Sequence, residues 1–551
     1  MTVPFVEPMR DGHPALTPFQ QDVLLECLRK NSGALALPMG AGKTVLALTL
    51  AQLQSGGTPF VWVCAKSLLG NLQVEIRKFF GDRLPYLLLY GPARGDMRLA
   101  PATRLVITTP EVAARAFTAL HLPDQCIVEE RTGRVVVHHF RWSNDPWMPV
   151  DATVAGPNML YHTRWGAVVI DEAQEHSNST SRKCHALGAI CSAHRWLLSG
   201  TMFNEPDATH MLGIWLLLNQ MTPRSVPEMR LHMQADFRGL RQLQVHRATN
   251  PDFKRPRYEE HIVAHDLTVH EQAVYRSFRD VLQLLNNRVK QMREVNDTEQ
   301  ARIFSTYQLT MVTHLRQALV SPMVPITSAA IGMADYRQRK ELSSIFMRHL
   351  NMQNLSGWLQ NPDAMRSSRV DAVLGLLVKH TGARIVVFGC FDSCLTVIAH
   401  YARLTGHRVL TMRGNTSMQA RVNTLLEFEH ATDGAVLIMS YQLGAEGLNL
   451  QCASVAILVD FWWNAGRTSQ AIARLMRMGQ CNPCVYAYLL TANTGIERAI
   501  FGKQVAKLER QAELMDGPTN VRVPVVRLQD VIEIILRSDN EEKLREVRAR
   551  A

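Results

Sequence analysis

Residues 34–48 read Ala-Leu-Ala-Leu-Pro-Met-Gly-Ala-Gly-Lys-Thr-Val-Leu-Ala-Leu, a short apolar strand, a glycine-rich turn and the apolar start of a helix. That order is the context a phosphate-binding loop requires. Gly40 and Gly42 permit a tight turn whose amides face phosphate oxygens at the helix N-terminus. On this reading Met39, Gly40, Ala41 and Gly42 line the phosphates, Lys43 reaches the β and γ positions and Thr44 holds magnesium. The strict pattern has glycine at position 37, where this chain has Leu37.

A second signal lies roughly 130 residues downstream, far enough for intervening strand and helix units. Val168-Val-Ile-Asp-Glu-Ala-Gln-Glu175 is an apolar strand ending in adjacent carboxylates. At the C-terminal end of a strand in an open α/β sheet such residues face the ligand crevice. Asp171 is expected to bind magnesium, and Glu172 to polarise an attacking water in phosphoryl transfer. Near the other end of the chain, Gln470-Ala-Ile-Ala-Arg-Leu-Met-Arg-Met-Gly-Gln480 sets Arg474 and Arg477 three apart. On a helix that spacing puts two guanidiniums on one face, where planar forks suit a developing phosphate charge better than lysines would. An ordinary basic surface helix is the alternative for that segment taken alone.

At 551 residues the chain is long enough for three to four domains, and 46% hydrophobic content fills several cores. The longest apolar stretch, Met211 to Leu218, is far shorter than the roughly 18 to 20 residues that span a bilayer. The N-terminus lacks a basic start followed by an apolar run, so a soluble intracellular protein with no membrane partner is expected. Its 60 Lys and Arg against 49 Asp and Glu give +11, a charge that favours a polyanionic partner without identifying one. Of the ten cysteines only Cys390 with Cys394 and Cys481 with Cys484 are close in sequence. Neither has a neighbouring pair to complete a zinc site, and both read as thiols in a reducing compartment.

With these motifs in order, the chain resembles the SWI/SNF-like ATPases of helicase superfamily 2. Leu16-Thr-Pro-Phe-Gln20 is similar to the adenine-recognising segment, with Gln20 as the base reader. Val61-Trp-Val-Cys-Ala-Lys-Ser-Leu and Val106-Ile-Thr-Thr-Pro-Glu111 resemble segments that line the DNA track, which implies strand contacts for Lys66, Ser67 and Thr109. Arg195-Trp-Leu-Leu-Ser-Gly-Thr-Met-Phe-Asn-Glu205 resembles the motif that couples hydrolysis to strand contact through Ser199, Gly200 and Thr201. Leu315-Arg-Gln-Ala318 followed by Pro322 looks like the segment closing the first lobe, without the RING insertion some relatives carry there.

Ser367-Ser-Arg-Val370, Arg384-Ile-Val-Val-Phe388 and Arg421 resemble the start of a second lobe. Ser440-Tyr-Gln-Leu-Gly-Ala-Glu-Gly-Leu-Asn-Leu450, then Asp460, Trp463 and Asn464, look like the motif joining DNA to the ATP cleft. The resemblance thereby implies coupling roles for Ser440, Asn449, Trp463 and Gln470, a nucleotide contact for Gly447, and arginine fingers at Arg474 and Arg477. Gln174, Met202, Asn204, Glu205, Leu72 and Ala465 depart from the family pattern, and none of them is a phosphate, magnesium or finger group. They bear on coupling rather than hydrolysis and mark a divergent member, from a DNA virus or a fast-evolving lineage.

The implied fold class is α/β, two RecA-like parallel-sheet lobes with an ATP cleft between them and helical insertions. The expected division is a first lobe over 1–270 with a hairpin insertion at about 125–142, helical material over 271–365, a second lobe over 366–510 and a tail helix over 511–551. The hairpin rests on β-prone runs on both sides of Thr132-Gly133, in which His138 and His139 read as strand residues. The implied activity is that of a double-stranded DNA translocase using ATP and Mg2+, with nucleosomes or transcription proteins as further partners and the nucleus, or a viral replication compartment, as its place. Two other readings stay open: a strand-separating DNA or RNA helicase, and a DNA-binding scaffold with weakened motor activity.

Overall fold

The computed structural model describes residues 16–37, 40–119, 126–131, 134–140, 155–200, 202, 207–219, 225–235, 244–246, 256–326, 365–445, 448–463, 465–477, 480–516, 532 and 535–536. The chain divides into two compact units, residues 1–255 with 507–521, and 256–506 with 522–551. Each is built round its own parallel sheet, which is the two-lobed RecA-like α/β fold.

The first unit holds strands β1 (Ser32–Ala36), β2 (Phe60–Val63), β3 (Tyr86–Leu88) and β4 (Leu105–Thr108). It continues with β5 (Cys126–Arg131), β6 (Arg134–Phe140), β7 (Trp165–Ile170), β8 (Ser192–Ser199) and β9 (Gln244–His246). Seven of them form one sheet in the order β3-β4-β2-β7-β8-β1-β9, every pairing parallel. A parallel strand covered by helices on both faces has no polar side, and the sequence obeys: every residue of Phe60–Val63 and of Trp165–Ile170 is buried. The remaining two strands, β5 and β6, pair antiparallel as a separate two-stranded sheet, and the expected turn residues Thr132 and Gly133 between them lie outside the described residues.

The second unit holds β10 (Arg257–Ala264), β11 (Arg384–Gly389), β12 (Val409–Met412), β13 (Ala435–Ser440), β14 (Val455–Leu458) and β15 (Cys484–Thr491). They form a six-stranded parallel sheet in the order β10-β15-β14-β11-β13-β12. Residues 257–264 fall inside the 1–270 range expected for the first lobe, yet β10 pairs with β15 along all eight of its residues. The helices Val269–Glu294 and Thr298–Ala318 follow and pack on each other through Val274, Phe278, Leu282, Met311 and Leu315. Ile532, Ile535 and Leu536, from the apolar run of the tail, are buried in that same cluster. The rest of the expected helical region, 327–364, lies outside the described residues.

Helix Val269–Glu294 opens on a reciprocal cap: Thr268 Oγ1 accepts from Glu271 N at 3.3 Å while Glu271 Oε2 accepts from Thr268 N at 2.6 Å. The other oxygen of Glu271 accepts from Ser368 N at 2.7 Å, so the cap also ties this helix to the helix Ser368–Lys379. Thr268→Ala is expected to cost about 1 kcal/mol, read as a lower denaturant midpoint with unchanged slope. Beside it, Arg369 is fully buried and donates to Val459 O, to Glu497 Oε1 and, through Nε, to His265 Nε2 at 2.9 Å. That ring nitrogen is therefore an acceptor, and His265 stays neutral and donates from Nδ1 to Ser368 Oγ at 3.1 Å. Burial first, and the Arg369 charge second, push His265 down to about 4.

Candidate active site

In a parallel sheet all C-terminal strand ends share one edge, and the first unit carries its chemical residues there. After β1 the backbone turns left-handed at Gly40 (φ 79°) and Gly42 (φ 74°), and the helix Lys43–Ser55 begins. Pro38 and Met39 lie outside the described residues. Gly42 is required twice, because a Cβ at this position would also sit 2.3 Å from Gln20 Nε2. Gln20 is buried, and both ends of its amide are engaged: Oε1 accepts from Thr17 N and Nε2 donates to Ala41 O, each at 3.0 Å. The residue expected to read the base thus fastens the first helix to the phosphate loop. Lys43 Nζ donates to Leu37 O at 3.2 Å across the turn, and Thr44 lies half-buried in the first turn of the helix.

Asp171 and Glu172 follow β7. Asp171 N donates to Val63 O at 2.9 Å, which extends the pairing with β2 by one residue. Glu172 then takes a left-handed conformation, φ 48° and ψ 46°, uncommon for a residue with a side chain and a mark of a constrained site. Glu172 N donates to Asp171 Oδ1 at 3.0 Å, and Gln174 Nε2 donates to Glu172 Oε2 at 2.6 Å. Ser177 Oγ holds the Gln174 carbonyl at 2.8 Å, while Gln174 Oε1 is buried with no partner among the described residues. The protein crowded round the Asp171 carboxyl pushes its pKa up, the charge of Glu172 adds to the rise, and Lys43 pulls it back. Lys43 and Asp171, far apart in sequence, therefore share one electrostatic environment. A carboxyl that burial makes costly to ionise, with a second carboxylate beside it, is the charge pattern a divalent cation relieves, so Asp171 with the Thr44 hydroxyl fits the expected Mg2+ site.

The strand-contact candidates of this unit occupy the same edge. Lys66 is exposed and Ser67 half-buried in the single turn Lys66–Leu68 after β2. Thr109, after β4, is fully buried, and its hydroxyl accepts from Val112 N at 3.4 Å at the start of the helix Pro110–Ala119. Ser199 is buried at the end of β8, Gly200 follows half-buried, and Thr201 lies outside the described residues.

In the second unit the helix Ala465–Ala473 ends before either finger candidate, so Arg474 and Arg477 do not share a helical face. Hydrogen bonds of the i to i+3 kind, Arg474 N to Ala471 O and Leu475 N to Ile472 O, tighten its last turn, and Leu450 N captures the Arg474 carbonyl at 3.2 Å. Arg474 is buried with Nε donating to Gly444 O at 3.2 Å, and Arg477 is half-buried in the bend that follows. Gln470 is buried on the helix, Ser440 ends β13 half-buried, Asn449 is exposed and Trp463 half-buried, whereas Gly447 lies outside the described residues.

Arg316, quoted above only within a motif thought to close the first lobe, lies in the second unit with its guanidinium among the loops after β11 and β14. The signal available was a cation spaced among Leu315, Ala318 and Leu319 on the buried side of a helix. Among the described residues no group of three or more His, Cys, Asp or Glu could hold a metal, and no helix is long and apolar enough to cross a membrane.

Two family models match this chain: the SNF2-related domain over residues 21–324 and the helicase conserved C-terminal domain over residues 368–479. The 172L protein of Invertebrate iridescent virus 6, whose name gives it as a helicase, is 23% identical over 94% of this chain and 93% of its own length. The ISWI chromatin-remodeling complex ATPase ISW2 of Saccharomyces cerevisiae is 24% identical over 87% of this chain, which spans 38% of that protein. The DNA repair and recombination protein RAD54-like of Drosophila virilis is 23% identical over 96% of this chain and 67% of its own length. Among solved structures, the Sulfolobus solfataricus SWI2/SNF2 ATPase core in complex with dsDNA aligns over 92% of this chain and 97% of its own, with 17% identity and a TM-score of 0.36.

Proposed function

Because the chain belongs to the SNF2-related family and carries a helicase C-terminal domain, we propose that it is an ATP-driven translocase on double-stranded DNA that remodels DNA–protein complexes. The observation that carries this reading is the first unit's edge, where Lys43, Asp171 and Glu172 share one electrostatic environment beside a left-handed glycine turn. DNA as the track is supported by the names of the DNA repair and chromatin-remodeling proteins to which the chain is similar. The same names support work in the nucleus, and the iridescent virus relative supports a viral replication compartment as the other place.

In this reading ATP is bound at the phosphate loop of the first unit. The loop amides of Gly40, Ala41 and Gly42 and the Lys43 ammonium bind the phosphates, while Gln20 keeps the loop in shape through Ala41 O. Thr44 and Asp171 would hold Mg2+, which would neutralise phosphate charge there. Glu172, oriented by Gln174, accepts a proton from the attacking water. Arg474 and Arg477 stabilise the charge that develops on the transferred phosphoryl group. Lys66, Ser67, Thr109, Ser199, Gly200 and Thr201 in one unit, with Ser440, Asn449, Trp463 and Gln470 in the other, carry the strand contacts. Thr109 and Gln470, being buried, do so by holding the loops that touch DNA rather than by touching it.

The test is steady-state ATP hydrolysis by the full chain alone and with duplex DNA, single-stranded DNA or RNA, beside Glu172→Gln. Duplex DNA is expected to stimulate most, and Glu172→Gln to remove the hydrolysis in every condition. A preference for single strands or RNA replaces this reading with a strand-separating helicase. An unaltered chain that hydrolyses no ATP under any condition leaves a scaffold.

A further inference from the structure

Arg316 ends the helix Thr298–Ala318, yet its side chain belongs to two loops much further along the chain. It is 8% exposed, and Nη2 donates to Phe461 O at 2.6 Å and to Cys390 Sγ at 2.9 Å. Its guanidinium carbon lies 4.9 Å from the ring centre of Phe391 and 5.3 Å from that of Trp463. Two aromatic rings and two hydrogen-bond acceptors leave a planar cation one orientation. They leave each ring one neighbour of defined geometry in return. Cys390 and Phe391 follow β11 while Phe461 and Trp463 follow β14, and these strands are adjacent and parallel. Both loops thus emerge on the ligand-facing edge of the sheet.

The surroundings make this arrangement specific to arginine. Asp460, buried below the loop, accepts from Cys390 N at 2.9 Å, and its backbone carbonyl accepts from Tyr441 Oη at 2.7 Å. Burial drives the Asp460 carboxyl up, and the Arg316 charge draws it back. Lys503 Nζ lies 5.5 Å from the ring centre of Trp463 and adds a second cation to that ring. A lysine at 316 keeps the charge and can donate to the same acceptors, but it lacks the planar face that meets the rings of Phe391 and Trp463.

We propose that Arg316 is a positioning residue that fixes Trp463 for contact with nucleic acid, and that through it the paired helices 269–294 and 298–318 control how firmly the second unit grips its strand. This rests on the translocase reading, in which Trp463 is a strand contact. A tryptophan held by its ring can present a fixed apolar face to a base or sugar, whereas a loose one loses rotamer freedom on binding. Arg316 itself touches no ATP and no strand.

The experiment is ATP hydrolysis by the full chain over a range of duplex DNA concentrations, for the unaltered protein, Arg316→Lys, Trp463→Ala and the double variant. Arg316→Lys is expected to raise the DNA concentration giving half-maximal stimulation about tenfold while the DNA-free rate holds. The double variant is expected to match Trp463→Ala, since fixing an absent ring gains nothing. If Arg316→Lys does not fold, Phe391→Leu, which removes one ring from the stack, must produce the same selective loss. Loss of the DNA-free and DNA-stimulated rates in equal proportion overturns the inference, as do effects of the two substitutions that multiply. An unaltered chain that duplex DNA fails to stimulate overturns the translocase reading itself, and this inference with it.

Discussion

Asp171→Asn is expected to lower ATP hydrolysis about a thousandfold while making the ligand-free first unit more heat-stable. The amide keeps the shape of the side chain and, through Oδ1, the hydrogen bond from Glu172 N. It removes a charge that burial and Glu172 both oppose. The carboxyl titrates higher in the folded chain than in the unfolded one, so stability is lost as pH rises from about 4 through the raised value, and the cost is complete above it. Asparagine should therefore give no gain near pH 4 and its full gain, about 1–2 kcal/mol or roughly 2–8 °C, near pH 8. Calorimetry of the two proteins at both pH values, without nucleotide or magnesium, measures it. A lower midpoint for the variant at pH 8 would show that the carboxylate is a structural asset and not a liability held for a cation.

Gly42→Ala is expected to reduce hydrolysis about a hundredfold or more, by two separable routes. A left-handed backbone at a residue with a Cβ costs about 1–2 kcal/mol, and the new methyl would lie far inside contact distance of Gln20 Nε2. Either Gln20 releases Ala41 O or the loop moves, and both displace the amides that face phosphate. Gln20→Ala should lower activity by itself through loss of the bond to Ala41 O. Combined with Gly42→Ala it should restore part of what the alanine removed, because the collision is gone and only backbone strain remains. Nucleotide affinity of the three variants, followed with a fluorescent ATP analogue, gives the cycle. Strictly additive losses would mean that Gln20 and Gly42 do not meet.

The phosphate loop and the Asp-Glu strand were legible because their chemistry is local. A glycine where the backbone must turn left-handed and an apolar run ending in carboxylates are written within a few residues of each other. Strand β10 was not legible in the same way: its charged residues Arg257, Glu259 and Glu260 interrupt any apolar run, and its partner β15 lies far downstream. The spacing of Arg474 and Arg477 was real, but the helix it presumed ends at Ala473, because contacts with Gly444 and Leu450 compete with the helical pattern. Arg316 shows the same limit from the other side. The apolar Leu315, Ala318 and Leu319 around it are a local helical signal, but no local rule could supply the rings of Phe391 and Trp463.

The pairing of β10 with β15 has a consequence for the order in which a ribosome releases this chain. The described strands of the first unit's sheet are all made by β9, so that sheet can pair while synthesis continues, before residues 507–521 of the same unit emerge. Strand β10 emerges next but finds its only described neighbour roughly 220 residues later, about 10–40 s at ordinary elongation rates. During that interval a strand with an open edge waits at the surface of a half-made protein. Its two glutamates, its arginine and its lack of a continuous apolar face are then an asset, since they discourage pairing with a stray strand before Cys484–Thr491 arrives.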